Sequence, residues 1–102
     1  MVYIVIKTWY PSHVTDKVNE KYLEMIQKFP PDNTLSEQVV PAAVKATKKG
    51  YEVMSIQLVK EGKFDETVAR VGAALAMLRN IEGYEYSIEV WATLGEAQAM
   101  TA

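Results

Sequence analysis

Four short segments that favour β-strands alternate with two longer segments of helical periodicity, and this order is the strongest constraint on the fold. The strand segments are rich in β-branched and aromatic residues, which suit a pleated backbone. They span residues 2–10, 39–47, 51–60 and 84–92. In residues 15–29 and 64–80 the apolar side chains recur every three or four positions, as on one face of a helix. The chain therefore predicts a single α+β domain over residues 1–102, in the order β-α-β-β-α-β.

The ends of the helices carry local signals. Pro30 and Pro31 end the first helix, and Gly83 follows the second. After the fourth strand, Thr93 and Glu96 have the spacing of a capping box. This spacing predicts a short C-terminal helix over about residues 94–100.

The connection between the second and third strands predicts a β-hairpin with the three-residue loop Lys48-Lys49-Gly50. Gly50 would take the left-handed position that such loops favour. This register pairs apolar with apolar residues on one face, whereas a two-residue loop mixes the two faces. The expected pairs are Val44 with Met54, Ala42 with Ile56 and Lys45 with Val53.

Right-handed crossovers predict an antiparallel four-stranded sheet of order 4-1-3-2 with two helices on one face. The side chains expected to meet the helices are Ile4, Ile6, Ala42, Val44, Met54, Ile56, Tyr86, Ile88 and Val90. The helices leave the other face of the sheet open. Its side chains are expected to be Tyr3, Val5, Lys7 and Trp9, then Ala43, Lys45 and Thr47, then Val53, Ser55, Gln57 and Val59, and finally Glu85, Ser87, Glu89 and Trp91.

This open face mixes tryptophan with lysine and glutamate, which predicts that something covers it. A solvent-facing surface has no need of two indole rings, and a dry core would not hold four charges. The cover is a second subunit, a small ligand or both. We expect a homodimer and a small-molecule pocket on this face, formed by Tyr3, Lys7, Trp9, Lys45, Glu85, Glu89 and Trp91.

In its element order, its long second helix and its tail after the fourth strand, the chain resembles the dimeric α/β-barrel superfamily of small ferredoxin-like proteins. The resemblance covers nearly the whole chain in element order. It implies that two subunits dimerise through their open sheet faces to form a barrel, often around an internal cavity. Members include cofactor-free monooxygenases, haem-degrading enzymes, isomerases and many proteins of unknown activity. The resemblance implies a small-ligand-binding module or, alternatively, a cofactor-free monooxygenase or isomerase.

Three residues are candidates for acid–base chemistry. His13 follows the first strand and could act as a general base, or it is an ordinary exposed loop residue. Lys7 and Glu89 share a face of neighbouring strands and form either a structural ion pair or a pair with shifted pKa values. One histidine without converging carboxylates predicts no metal site. We also expect no cofactor.

The RNA-recognition fold shares this topology and is a further alternative. Tyr3 and Tyr51 match positions of its strand motifs and would face the open sheet to stack bases. However, Val53 stands where the second aromatic residue of the motif belongs. Glu85 and Glu89 on the same face would repel phosphate, and the net charge is −2. We therefore expect no nucleic-acid partner.

Composition narrows the remaining classes. The sequence has no run of 18 apolar residues, which predicts no membrane partner. It has no cysteine, so disulfides are excluded and a cytoplasmic location is expected.

The second helix carries a strip of small residues, Ala69, Gly72, Ala73 and Ala76. This strip is expected to pack on the first helix or, alternatively, on another subunit.

Overall fold

The computed structural model describes residues 1–101 of the 102-residue chain. Its strands and helices follow the predicted order, with one additional turn of 3-10 helix at Ser12–Val14. The elements are β1 (Val2–Pro11), α1 (Thr15–Lys28), β2 (Ser36–Thr47), β3 (Gly50–Val59), α2 (Phe64–Ala76), β4 (Glu85–Ala92) and α3 (Leu94–Thr101). Within residues 1–101, no helix is long and apolar enough to cross a membrane.

The four strands form one antiparallel sheet in the order β2-β3-β1-β4, which confirms the predicted strand order and the α+β class. Residues of α1, of α2 and of one sheet face line a shared cavity, so both helices lie on that face. Three α-helices are present in the described residues, because α3 follows β4 as its capping residues predict. The amide of Glu96 donates to the Thr93 hydroxyl at 3.2 Å, which caps the start of α3.

Two element boundaries differ from the prediction. The second strand is predicted to begin at residue 39, but β2 begins at Ser36. The Asp32 carboxylate accepts hydrogen bonds from the Thr34 amide at 2.9 Å and hydroxyl at 2.5 Å, and this tight turn leads directly into the strand. The helix predicted to reach residue 80 ends at Ala76. The amide of Leu78 bonds the carbonyl of Leu75, three residues back, so the chain tightens there into turns.

The predicted three-residue hairpin loop is wrong. Thr47 pairs with Gly50, which leaves the two-residue loop Lys48-Lys49. The Thr47 hydroxyl closes this turn, since it lies 3.1 Å from both the amide nitrogen and the carbonyl oxygen of Gly50. Gly50 also lies opposite Pro11 on β1, and its φ is 149°. Glycine is needed here for its extreme φ and close strand approach, not for the left-handed loop position.

The corrected register reverses the predicted faces of β3. Val53 lies opposite Val44 on β2 and opposite Thr8 on β1, and side chains directly opposite each other share a face. The β3 residues on the helix side are therefore Tyr51, Val53, Ser55, Gln57 and Val59. Those on the open face are Glu52, Met54, Ile56 and Leu58, so the predicted placement of Met54 and Ile56 against the helices is wrong. The pairing of β1 with β4 agrees with the predicted faces of both strands.

Two irregularities interrupt the pairing of β2 with β3. The register shifts between Gln38 and Val40 and again between Val40 and Ala43, and the second interval contains Pro41. Proline has no amide hydrogen to donate to the ladder, which favours a bulge at this point of an edge strand. Beyond these shifts, the register set by the two-residue loop places Lys45 opposite Glu52 rather than Val53.

The helices bury only part of the sheet. Ile4, Val59, Thr67 and Leu78 are almost fully buried, and Tyr10, Val18, Leu78 and Ile81 form one apolar cluster. On the same sheet face, however, Val44 is 63% exposed and Val90 is 53% exposed. In the small-residue strip of α2, Ala69, Gly72 and Ala73 are exposed. The strip therefore does not pack on α1, contrary to the first of the two expectations for it.

Candidate functional site

A cavity of about 540 Å³ lies between the two main helices and the sheet. Its roof is formed by apolar side chains of α1 and α2, including Val18, Met25, Val71 and Leu75. Its floor is formed by the central strands β1 and β3. The cavity is formed by residues of a single chain.

Short polar side chains on the floor explain why this space exists. Thr8 on β1 and Ser55 on β3 occupy positions where a helix-facing strand ordinarily carries larger apolar residues. Neither side chain reaches far enough to fill the layer between sheet and helix. The alternating pattern of β3 thus places small polar groups under an apolar roof.

The floor carries one defined hydrogen bond. The Ser36 hydroxyl on β2 donates to the side-chain oxygen of Gln57 on β3 at 2.5 Å. This bond orients the Gln57 carboxamide through its oxygen and does not involve its NH₂ group. Within residues 1–101, neither that NH₂ group nor the Ser55 hydroxyl bonds another protein group. The floor therefore offers free hydrogen-bonding groups to the cavity.

The charged side chains that line the cavity, among the described residues, are Asp32 and Arg70. The Arg70 guanidinium donates to the Pro30 carbonyl and lies 5.6 Å from the centre of the Phe29 ring. The hydrogen bonds from Thr34 lower the pKa of the Asp32 carboxyl, and the charge of Arg70 acts in the same direction. Because their charges are opposite, the two side chains add no net charge to the lining.

A tyrosine cluster packs beside the cavity, near Val18 of α1 and the turns that follow α2. Tyr84 stacks on Tyr10 with ring centres 6.3 Å apart, and Tyr10 contacts Tyr51 at 5.6 Å. Burial raises the pKa of the Tyr84 hydroxyl, and a hydrogen bond with Thr8 opposes part of that effect. Burial also raises the pKa of Tyr10, and the neighbouring Tyr51 adds to the shift.

We expect these raised pKa values to make the protein sensitive to alkaline pH. In the unfolded chain tyrosine ionises near pH 10, whereas folding keeps Tyr84 protonated to higher pH. The stabilisation is complete below about pH 10 and is lost as pH rises through the folded pKa. Tyr84→Phe should therefore flatten the decline in unfolding free energy between about pH 9 and 12, as measured by urea denaturation. An equally steep decline in the variant would contradict this assignment.

All seven residues of the sequence-predicted pocket lie on the open face, opposite the cavity. Along β1 and β4, Tyr3 pairs with Trp91 and Trp9 pairs with Glu85. Lys45 lies on β2 of the same face, across from Glu52. The structure thus brings these side chains onto one surface, while the helix–sheet cavity lies on the other side of the sheet.

Two ion pairs cross this open face. The Lys7 amine lies 3.5 Å from the Glu89 carboxylate, and both side chains are about one third exposed, at 33% and 34%. The Trp91 indole N–H donates to the same carboxylate at 2.9 Å. Lys45 lies 3.8 Å from Glu52. Lys7, Glu89 and Trp91 therefore form a connected group, as the sequence predicts for the first two.

A second concave region of about 540 Å³ lies at one end of the sheet. Trp9 and Glu85 line it together with Lys48 and Lys49 of the hairpin loop. The other five residues of the sequence-predicted pocket line neither this region nor the helix–sheet cavity.

His13 stands apart from both concave regions. Its Nε2 lies 4.0 Å from the Glu82 carboxylate, and both side chains are largely exposed, at 66% and 87%. This position agrees with an exposed loop histidine. In the part of the chain that the structure describes, no three histidine, aspartate or glutamate side chains converge on a possible metal position.

Sequence reasoning missed Ser55 and Gln57 as site residues. Their polarity assigned them to the open face, because alternate polar residues on a strand usually face water. The useful signal lay in β1, where Thr8 is polar on an otherwise apolar face and Ile4 pairs with Gln57. The sequence alone does not give the register between β1 and β3, so it does not show that Thr8 and Gln57 lie on the same face.

One solved structure gives independent support for the fold. The chain is a four-stranded antiparallel α+β domain of the ferredoxin-like type with a cavity beneath its helices. No protein-family model matches it, and no curated protein is significantly similar. It is similar to the de novo designed protein Foldit4, with a TM-score of 0.54 and 11% identity over 90% of this chain and 96% of that one. At this identity the similarity shows a shared fold alone.

A second solved structure resembles the chain less closely. It is the crystal structure of a NIPSNAP family protein with unknown function from Agrobacterium tumefaciens. Its TM-score is 0.44 and its identity 18%, over 91% of this chain and 90% of that one.

Proposed function

We propose that this protein is a homodimeric small-ligand-binding module that holds its ligand between the helices and the sheet. The cavity of about 540 Å³ is the observation that carries the proposal. Small-molecule sites are typically concave, mostly apolar and about 300–1,000 Å³, with a few polar groups that orient the ligand. An apolar roof above Ser55 and Gln57 matches that description.

The lining favours binding over catalysis. Its charged residues, in the described part of the chain, are Asp32 and Arg70, which are held by Thr34 and by the Pro30 carbonyl, respectively. Neither is placed as a nucleophile or a general base on the floor. Asp32 and Arg70 therefore supply no nucleophile or general base that would favour the monooxygenase or isomerase alternatives.

The open face supports the proposed homodimer. The corrected register adds Met54, Ile56 and Leu58 to a face that already holds Trp9 and Trp91. Trp91 is 57% exposed in the single subunit, and large exposed apolar patches mark interaction surfaces. A second copy of the same face would cover these rings.

The charges of the open face are compatible with such a cover. Lys7 is paired with Glu89 and Lys45 with Glu52 inside one subunit. Covering the face therefore buries these charges as pairs, which costs far less than burying them singly. The pocket predicted around Lys7, Trp9 and Glu89 would then lie between the two sheets.

The ligand proposal is tested by filling the cavity. Ser55→Leu places a larger side chain on the floor, beneath the roof of α1 and α2. We expect the affinity for the apolar fluorescent probe N-phenyl-1-naphthylamine to fall at least about tenfold, because the probe and the leucine compete for the same space. Circular dichroism checks that the variant is folded.

Ser87→Leu is the matched control for this experiment. It makes the same change on a strand of the same sheet, but on the open face beside Lys7. Probe affinity should stay within about twofold of the unchanged protein, since the cavity is untouched. If Ser55→Leu binds the probe as tightly as Ser87→Leu does, the cavity is not the binding site.

A further inference from the structure

The floor of the helix–sheet cavity is more polar than its position in the fold requires. Ile4 and Val59, on the same face of the central strands, are 0% and 1% exposed, as core residues should be. Between these strands, Ser55 and Gln57 face the helices instead of apolar residues. Both side chains are partly buried, so a ligand that displaces water from the cavity must itself supply their partners, because an unmade bond there costs about 1–3 kcal/mol.

The hydrogen bonds already made on the floor determine what kind of partner is missing. The Gln57 side-chain oxygen accepts from the Ser36 hydroxyl at 2.5 Å. A carboxamide held by its oxygen has two N–H donors left, and the Ser55 hydroxyl can donate one more hydrogen. Because the Gln57 N–H groups can only donate, a ligand that bonds them must carry an acceptor.

The charges around the cavity favour an uncharged acceptor. No charged side chain of the lining comes from the floor strands, among the described residues, and Asp32 after α1 and Arg70 on α2 carry opposite charges. A carboxylate in the cavity would lose its hydration without gaining a net positive environment. A neutral carbonyl oxygen loses much less and still accepts the free N–H bonds.

From this arrangement we infer that the cavity selects neutral, largely apolar molecules that carry a carbonyl oxygen, which accepts from Gln57 and Ser55 on the sheet floor. The inference rests on the proposed ligand-binding function and specifies its ligand class. The apolar roof contacts the body of the molecule, and the sheet orients its carbonyl group.

A matched pair of probes tests this selection. 2-Acetylnaphthalene and 2-ethylnaphthalene share the ring and the side-chain length and differ in the carbonyl oxygen. Calorimetry gives the ratio of their dissociation constants in the unchanged protein and in Gln57→Leu. We expect the preference for the ketone to fall about fivefold in the variant, which corresponds to one net hydrogen bond.

Two further variants keep the result interpretable. Gln27→Leu makes the same substitution on the exposed side of α1 and should leave the ratio unchanged. Ser55→Ala removes the other donor with little change in volume and should lower the ketone preference about threefold. It also serves as the deciding variant if Gln57→Leu does not fold.

The outcomes separate this inference from the function on which it rests. If both probes bind and the ratio is the same in Gln57→Leu, Ser55→Ala and Gln27→Leu, the carbonyl inference is wrong and the ligand-binding proposal stands. If neither probe binds the unchanged protein, both are wrong. A ratio that falls in the two floor variants alone establishes the assignment.

Discussion

Ile56→Glu is expected to dissociate the proposed homodimer into monomers. Ile56 lies near the middle of β3 on the open face, opposite Val5 on one side and Val40 on the other. A carboxylate there would be covered by the second sheet without a partner, which costs several kcal/mol. We expect the dissociation constant of the dimer to rise at least about 100-fold, equivalent to about 3 kcal/mol.

Sedimentation velocity measures this change directly over a range of protein concentrations. Leu23→Glu is the control, because Leu23 lies on α1 and is 63% exposed in the single subunit. It replaces an apolar residue of similar size with the same carboxylate and should leave the dimer intact. A monomeric unchanged protein, or an unaltered dimer in Ile56→Glu, would show that the open face is not the contact.

The choice of Ile56 depends on the register of the hairpin. If Ser55 and Gln57 faced outward, as the sequence predicts, the centre of the open face would be polar and Ile56 would be a core residue. With the observed register, Met54, Ile56 and Leu58 form an apolar row beside Val5. The same substitution therefore changes from a folding defect to an association defect.

Element order and strand order could be predicted because they depend on periodicity. The alternation in β1 and the helical stripe of α1 are signals that a short window contains. Right-handed crossovers then leave few ways to arrange four strands. The faces of β1 and β4 also follow, since each strand has one clearly apolar side.

The faces of β3 could not be predicted in this way. Both sides of the strand carry apolar residues, and the polar pair Ser55 and Gln57 looks like a solvent-facing pattern. The sequence predicts the loop length by pairing apolar with apolar residues across the hairpin. This pairing assumes that every residue facing the helices is apolar. The helix side instead has a cavity with a polar floor. The assumption therefore gives the wrong loop length and also places Ser55 and Gln57 on the wrong face.

The open-face positions on β1 and β4 could be predicted because they need no cavity. Lys7 and Glu89 share a face because the apolar side of each strand packs on the helices, and the register that pairs Val5 with Glu89 brings the two charges to 3.5 Å. A space between two layers depends instead on the volumes of many side chains at once. The pattern of a single strand does not give the combined volume of the side chains that meet between the layers.

Gly50→Ala is expected to lower the free energy of unfolding by about 3–5 kcal/mol, which combines backbone strain with a steric clash. At φ 149° an L-residue is strained, and a Cβ at this position would lie 2.1 Å from the Tyr10 carbonyl oxygen. That oxygen belongs to the backbone of β1, so relief requires the two central strands to separate. Urea denaturation followed by circular dichroism gives the change.

Gly62→Ala is the matched comparison for Gly50. Gly62 also has a positive φ, 78°, but no atom lies within 4 Å of the position of an added Cβ. The conformational cost alone should be about 1–2 kcal/mol. The difference between the two variants therefore isolates the close approach of β3 to β1 beside the two-residue loop. Equal destabilisation would mean that the strands do not meet there, and that the register placing Ser55 and Gln57 under the helices is incorrect.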